Sequence, residues 1–186
     1  MSNFFPFIAF GLGSGFFIYV SRKTLLRFNS HGFYRFFAWE CILALVILNF
    51  PHWTINPLSP LHLISWLFIL ISVFLMIHGV RLLKLIGQPD QNRPDNELLG
   101  FEKTTRLVTV GAYKYIRHPL YSSLLFLAWG AFFKQPASLA GLLLALTASI
   151  FLLLTAKRDE AECLQHFGEE FRVYMVGTKR FVPFLF

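Results

Sequence analysis

The sequence predicts an all-α integral membrane protein with five transmembrane helices, the last two forming a helical hairpin that leads into a cytoplasmic tail helix. Three observations predict it. The chain is 55% hydrophobic and only 15% charged, where a soluble domain averages about 25% charged. Five apolar runs of helix length follow one another, bounded by proline, glycine or charged residues. Every lysine and arginine except Lys134 falls in three segments, which a five-span chain puts on one side of the membrane.

The first span covers about Phe4 to Val20. From Asn3 onward it is apolar with no basic stretch before it, so it reads as a retained helix and not as a cleaved signal. Gly11, Gly13 and Gly15 within it allow close helix packing. A loop with Arg22, Lys23, Arg27 and Arg35 follows. Span two covers about Phe36 to Phe50, and Pro51 ends it. The next loop, Pro51 to Pro60, holds no basic residue. Span three covers about Leu61 to Leu83. Gln88 to Asn96 is a polar, proline-broken loop, and Leu98 to Val110 suits either extended or helical structure.

Pro119 opens span four, which runs to about Phe133; a proline there loses no hydrogen bond and its φ is preset. Span five covers about Ala137 to Ala156. About 20 residues are needed to cross ~30 Å of hydrocarbon. Spans one, three and five meet that length, whereas two and four, at roughly 15 residues, are short. The tail from Lys157 to Val176 has helical spacing, with Cys163, Leu164 and Phe167 on one face. Gly168 is a weak point that can divide it into two helices.

The three basic segments mark the cytoplasmic side, so the N-terminus lies outside and the C-terminus inside. The expected location is a bacterial inner membrane. One domain is expected, with accessory spans and the polar loop in residues 1–97 and the chemical core in 98–186. The net charge of +7 is explained by this topology. No basic stripe interleaves with exposed aromatics, so no nucleic-acid partner is expected. Cys41 and Cys163 read as free thiols, and the scattered histidines predict no metal site. No oligomer is predicted, although the short spans leave room for a second copy.

Polar residues gather at both mouths of the last hairpin, where a membrane makes them expensive. Arg117-His118-Pro119 sits at the start of span four, flanked by Tyr113 and Tyr121. One reading is an aromatic belt with a snorkelling arginine. The other is an anion site at a helix mouth. Asp159 and Glu160 follow Lys157 and Arg158 where span five ends. They read either as solvated ion pairs or as paired carboxylates for a cationic ligand: an amine, a sulfonium or ribose hydroxyls.

Taken in order, the motifs resemble one family. Gly111-x-Tyr113-x-x-x-Arg117-His118-Pro119-x-Tyr121, an apolar hairpin, an acidic pair, Phe167-Gly168-x-x-Phe171 and Phe181-x-Pro183 are similar to the isoprenylcysteine carboxyl methyltransferase and phospholipid methyltransferase superfamily. The resemblance spans roughly Leu98 to Phe184. It implies a membrane methyltransferase that takes S-adenosylmethionine in a cytoplasmic pocket and acts on a lipid, a lipidated substrate or another membrane-dissolved acceptor. By position it implies that Leu107 and Val108 supply backbone contacts to the adenosine part. Tyr113 matches the cofactor tyrosine. His118, Pro119, Leu120 and Tyr121 match the turn around the amino-acid end, and Asp159 the acid ligand, with Glu160 beside it. Arg158 and Glu160 are the candidate catalytic residues.

Three positions depart from the pattern. Ser122 and Ser123 stand where a glycine is common, and Asp159 stands where glutamate is usual. Thr155 replaces the substrate-holding arginine of carboxyl-methylating members, and Arg158 is the candidate replacement. The acceptor therefore stays open among a prenylcysteine carboxylate, a phospholipid amine and a small thiol. Arg158-Asp159-Glu160 with Cys163 also resembles the C-terminal module of sterol reductases, which use NADPH but need more spans than 186 residues hold. A non-catalytic membrane subunit is the third alternative.

Overall fold

A computed structural model describes residues 4–90, 92 and 98–185. Asn3, Phe186 and, in the polar loop, Gln91, Arg93, Pro94, Asp95 and Asn96 lie outside the described residues. Among the described residues six α-helices form: α1 (Phe5–Ser21), α2 (His31–Asn49), α3 (Pro60–Leu85), α4 (Pro119–Phe132), α5 (Leu139–Phe167) and α6 (Glu169–Gly177). All five apolar runs are helical. By length and composition α2, α3 and α5 can cross a membrane, while α1 and α4 are apolar but shorter.

Two spans differ from expectation at their ends. Span two is not short: α2 has 19 residues. Its start is set by Ser30, whose side chain accepts from the Phe33 N–H and so satisfies an end group of the helix. Arg35, expected in a loop, lies inside α2 and is buried there. Its charge is tolerated because Nη1 donates to both carboxylate oxygens of Glu102 at 2.8 Å. Span five runs past Ala156 to Phe167 as one helix of 29 residues. Gly168 then stops it with φ +58° and ψ −129°, a conformation that only glycine adopts without strain. The tail thus contains two helices, as Gly168 predicted, but the first is the end of α5.

α2 packs along α5, α3 along α4, and α1 against α2. The main core joins Ile42 and Leu45 of α2, Ala128, Ala131 and Phe132 of α4, and Ala145 and Ala148 of α5. Alanines at the crossings let the helix axes approach closely. A second cluster of Ala38, Tyr121, Leu152, Ala156 and Phe181 continues this core towards the polar end. α2, grouped by sequence with the accessory part, is therefore built into both clusters. On the outer faces of α1 and α3, Phe7, Leu12, Phe16, Leu67, Leu70 and Phe74 are exposed. Such a surface is stable against lipid and costly against water.

The segments joining these helices shape the polar end. Residues 98–110 form neither strand nor helix. They are tied back by the Thr105 N–H donating to the Gly87 carbonyl at 2.9 Å. Gly111 (φ +61°) opens a single tight turn over Gly111–Lys114, and a Cβ there would lie 2.6 Å from His78 Nε2. After α6 the chain returns as a strap alongside residues 115–118. Lys179 N–H donates to Tyr115 O, Arg117 N–H to Lys179 O and His118 N–H to Arg180 O, at 3.0, 2.8 and 3.2 Å. The Ser122 hydroxyl donates to Phe181 O at 2.8 Å and anchors the strap to α4.

Candidate functional site

The polar ends of α4 and α5, the 98–108 segment and α6 enclose a cavity of about 510 Å³. One wall is the last turns of α5. Asp159, Glu162, Cys163 and His166 lie at helix positions i, i+3, i+4 and i+7, so they share one stripe facing the hollow. Phe167 ends that stripe, and Phe171 and Tyr174 of α6 continue it. The facing wall carries Leu98, Glu102, Leu107 and Val108 from the irregular segment. Tyr113, Arg117, His118, Leu120 and Tyr121 form the floor between them.

His118 links the cavity to what lies behind it. Its Nδ1 is 3.3 Å from Asp159 Oδ2, and its Nε2 is 3.3 Å from Glu160 Oε1. The ring stacks on Tyr121, centroids 5.3 Å apart. Burial pulls the His118 pKa down. Hydrogen bonds and charge from Asp159 and Glu160 outweigh burial, so the imidazole stays protonated above its ordinary value of 6.5. Burial pushes the Tyr113 phenol well above its ordinary value, and its carbonyl accepts from the Tyr174 hydroxyl at 2.6 Å.

Glu160 faces away from the hollow. Neighbouring residues on a helix point about 100° apart, so Glu160 turns behind α4 while Asp159 faces in. There it accepts from Arg117 Nε at 2.9 Å and from Arg180 Nε and Nη2 at 3.0 and 2.8 Å. Arg117 also donates to the Thr178 carbonyl and, at 3.2 Å, to that of Met175. This buried node holds the strap against the floor of the cavity.

Of the expected site residues, Leu107, Val108, Tyr113, His118, Leu120, Tyr121 and Asp159 line the one cavity. Three do not. Glu160 is committed to the node. Pro119 is fully buried in the α3–α4 contact, near Gly79. Arg158 is exposed and lines a smaller adjoining hollow with Arg27, Asn29 and Ser30. Thr155 is buried too, its hydroxyl donating to Phe151 O.

Sequence reasoning missed Glu102, Glu162 and His31. The Glu162 carboxylate accepts from the His31 backbone N–H at 2.9 Å and lies 2.5 Å from His31 Nδ1. It thus caps the start of α2. His31, Asp159 and Glu162 have ligand-type atoms within 4.8 Å of one another, a cluster that spacing did not predict. The His31–Glu162 contact is hydrogen-bonded, so those lone pairs are already engaged. From its spacing Glu162 was expected on a different face from Cys163 and Phe167, whereas the structure turns all three towards the cavity. The pairings across 67 and 131 residues were not readable in the sequence.

Three proteins named methanethiol S-methyltransferase are similar to this chain. The one from Pseudomonas deceptionensis is 31% identical over 129 residues, covering 69% of this chain and 45% of its own length. Methanethiol S-methyltransferase 1 of Bradyrhizobium diazoefficiens is 29% identical over 121 residues, covering 64% and 39%. The protein of Crocosphaera subtropica is 24% identical over 172 residues, covering 89% and 62%. The chain thus spans about half the length of the curated relatives it matches. No family model and no solved structure matches.

Proposed function

We propose that the cavity binds S-adenosylmethionine and that the chain transfers its methyl group to a small thiol at the membrane face. The observation that carries this reading is the convergence of Leu107, Val108, Tyr113, His118, Leu120, Tyr121 and Asp159 on one hollow. The relatives' shared name supports methyl transfer to sulfur.

The lining fits such a cofactor. The volume of about 510 Å³ falls among pockets of ~300–1,000 Å³ that take small ligands. Asp159 suits a ligand bearing a sulfonium and an ammonium, with Glu102 beside it held by Arg35 and Glu162 by His31. Leu98, Leu107, Phe167 and Phe171 suit an adenine face. When bound, S-adenosylmethionine supplies an electrophilic methyl on a cationic sulfur. The chain's own part is to bind, orient and exclude water. The His118 imidazolium holds the Asp159 carboxylate towards the cavity. Tyr113 stays a neutral phenol, and Leu83, Leu120 and Phe171 keep bulk water from the reacting atoms.

The transfer is a displacement. A bond forms from the acceptor sulfur to the methyl carbon, and the donor's methyl–sulfur electron pair stays on the donor sulfur. The thiol proton goes to water. The thiolate is the reactive form, present as the fraction of the acceptor that is ionised at the working pH. Positioning then dominates the rate. A carboxylate acceptor is disfavoured because Thr155 is buried where an arginine would hold it, and Arg117 is committed to Glu160 and the strap.

Purified protein supplied with S-adenosylmethionine and methanethiol is expected to release dimethyl sulfide, read by gas chromatography. Transfer to phospholipid amine with none to methanethiol would overturn the acceptor assignment.

A further inference from the structure

We infer that Arg180, delivered by the C-terminal strap, is a positioning residue for the methyl donor, acting through Glu160 and His118 on Asp159. This rests on reading the cavity as a donor site. Arg180 is not part of the cavity lining, yet it is three steps from the carboxylate that is, through Glu160 and His118. Its Nε and Nη2 bind both oxygens of Glu160, at 3.0 and 2.8 Å. Glu160 meets His118 Nε2, and His118 Nδ1 meets Asp159. Glu160 is 5% exposed and His118 5% exposed, so water screens this chain of charges little.

The charges explain the direction of the effect. His118 is shared by two carboxylates at equal distance, 3.3 Å each. Glu160 also has Arg117 Nε at 2.9 Å and the fork of Arg180. With two guanidiniums on it, Glu160 pulls less on the imidazolium, which is left to orient Asp159. Removing Arg180 strengthens the pull of Glu160 on His118 and loosens Asp159 in the cavity wall. A backbone bond fixes where the fork sits, because His118 N–H donates to Arg180 O at 3.2 Å. A strap that never enters the cavity therefore sets the direction of a carboxylate inside it.

The test is calorimetric titration of S-adenosylmethionine into the purified protein, with turnover on methanethiol measured in parallel. Arg180→Ala is expected to weaken donor binding roughly ten- to hundredfold, as expected for lost hydrogen bonds to a charged group. Turnover at saturating donor should fall much less. In the Glu160→Gln background, adding Arg180→Ala should cost little more, because the route through Glu160 is already cut. Ser122→Ala, which loosens the strap but leaves the charges, should lower the melting temperature and keep donor affinity. Wild-type affinity in Arg180→Ala, additive losses in the double variant, or equal loss in Ser122→Ala would each overturn the inference. Absence of donor binding by the unaltered protein would instead overturn the donor-site reading, and this inference with it.

Discussion

His118 has both ring nitrogens against carboxylates, a placement that favours its protonated form. Burial opposes that charge, and Asp159 and Glu160 overcome burial, so the folded pKa lies above the ordinary 6.5. A raised histidine pKa contributes stability that is complete below the unfolded value and is lost as pH rises through the folded one. Stability in detergent and donor affinity are therefore expected to decline together as pH climbs from 6.5 through that higher value. The size is about 1.4 kcal/mol for each tenfold gain in proton affinity. The His118→Gln variant should lose this decline, and an unchanged pH profile there would contradict the role. At this scale helix-start rules, which act locally, put Pro119 and His118 at a helix mouth, while Leu107, Val108 and Leu120 came only from the resemblance. Asp159 and Glu160 were not distinguishable, since only the packing of α5 on α2 and α4 decides which acid faces the hollow. Arg158, the candidate replacement for an arginine at Thr155, has a spacing that turns it nearly opposite to Thr155, and it is exposed.

The α5–α6 boundary carries the second prediction. Gly168 has open space around its Cβ position, so a larger residue meets no clash there. Only the backbone conformation, at φ +58° and ψ −129°, resists substitution. Gly168→Ala is expected to cost about 1–3 kcal/mol, read as a lower melting temperature. It should also weaken donor binding, because Phe171 and Tyr174 of α6 close one side of the cavity. An unchanged melting temperature would mean the turn is not strained by a side chain. Helix cores were readable from apolar runs, and the break at Gly168 from propensity. The start of α2 was not, because Arg35 looks like a loop charge until Glu102, from a distant segment, is known to neutralise it. The 98–110 segment had no periodicity to read, and it is held by turns and side-chain ties.

At the scale of the whole molecule, five apolar helices and three basic segments imply an external N-terminus and an internal C-terminus, which we propose together with a cytoplasm-facing cavity. A reporter fused after Phe186 should be active only in the cytoplasm, and periplasmic activity would contradict it. The short α4 fits this arrangement. Its 14 residues rise roughly 21 Å, less than the hydrocarbon thickness, and its first residues line the cavity floor. The packing of α2 with α4 and α5 makes the cavity a product of the whole bundle, a property that no single stretch of sequence contains.

The central claim is that this bundle end holds a sulfonium methyl donor. Titration of the purified protein with S-adenosylmethionine, and separately with NADPH, tests it most directly. One saturable site for S-adenosylmethionine, lost in Asp159→Ala and absent for NADPH, is the predicted result. Binding of NADPH in its place, or S-adenosylmethionine affinity untouched by Asp159→Ala, would contradict it.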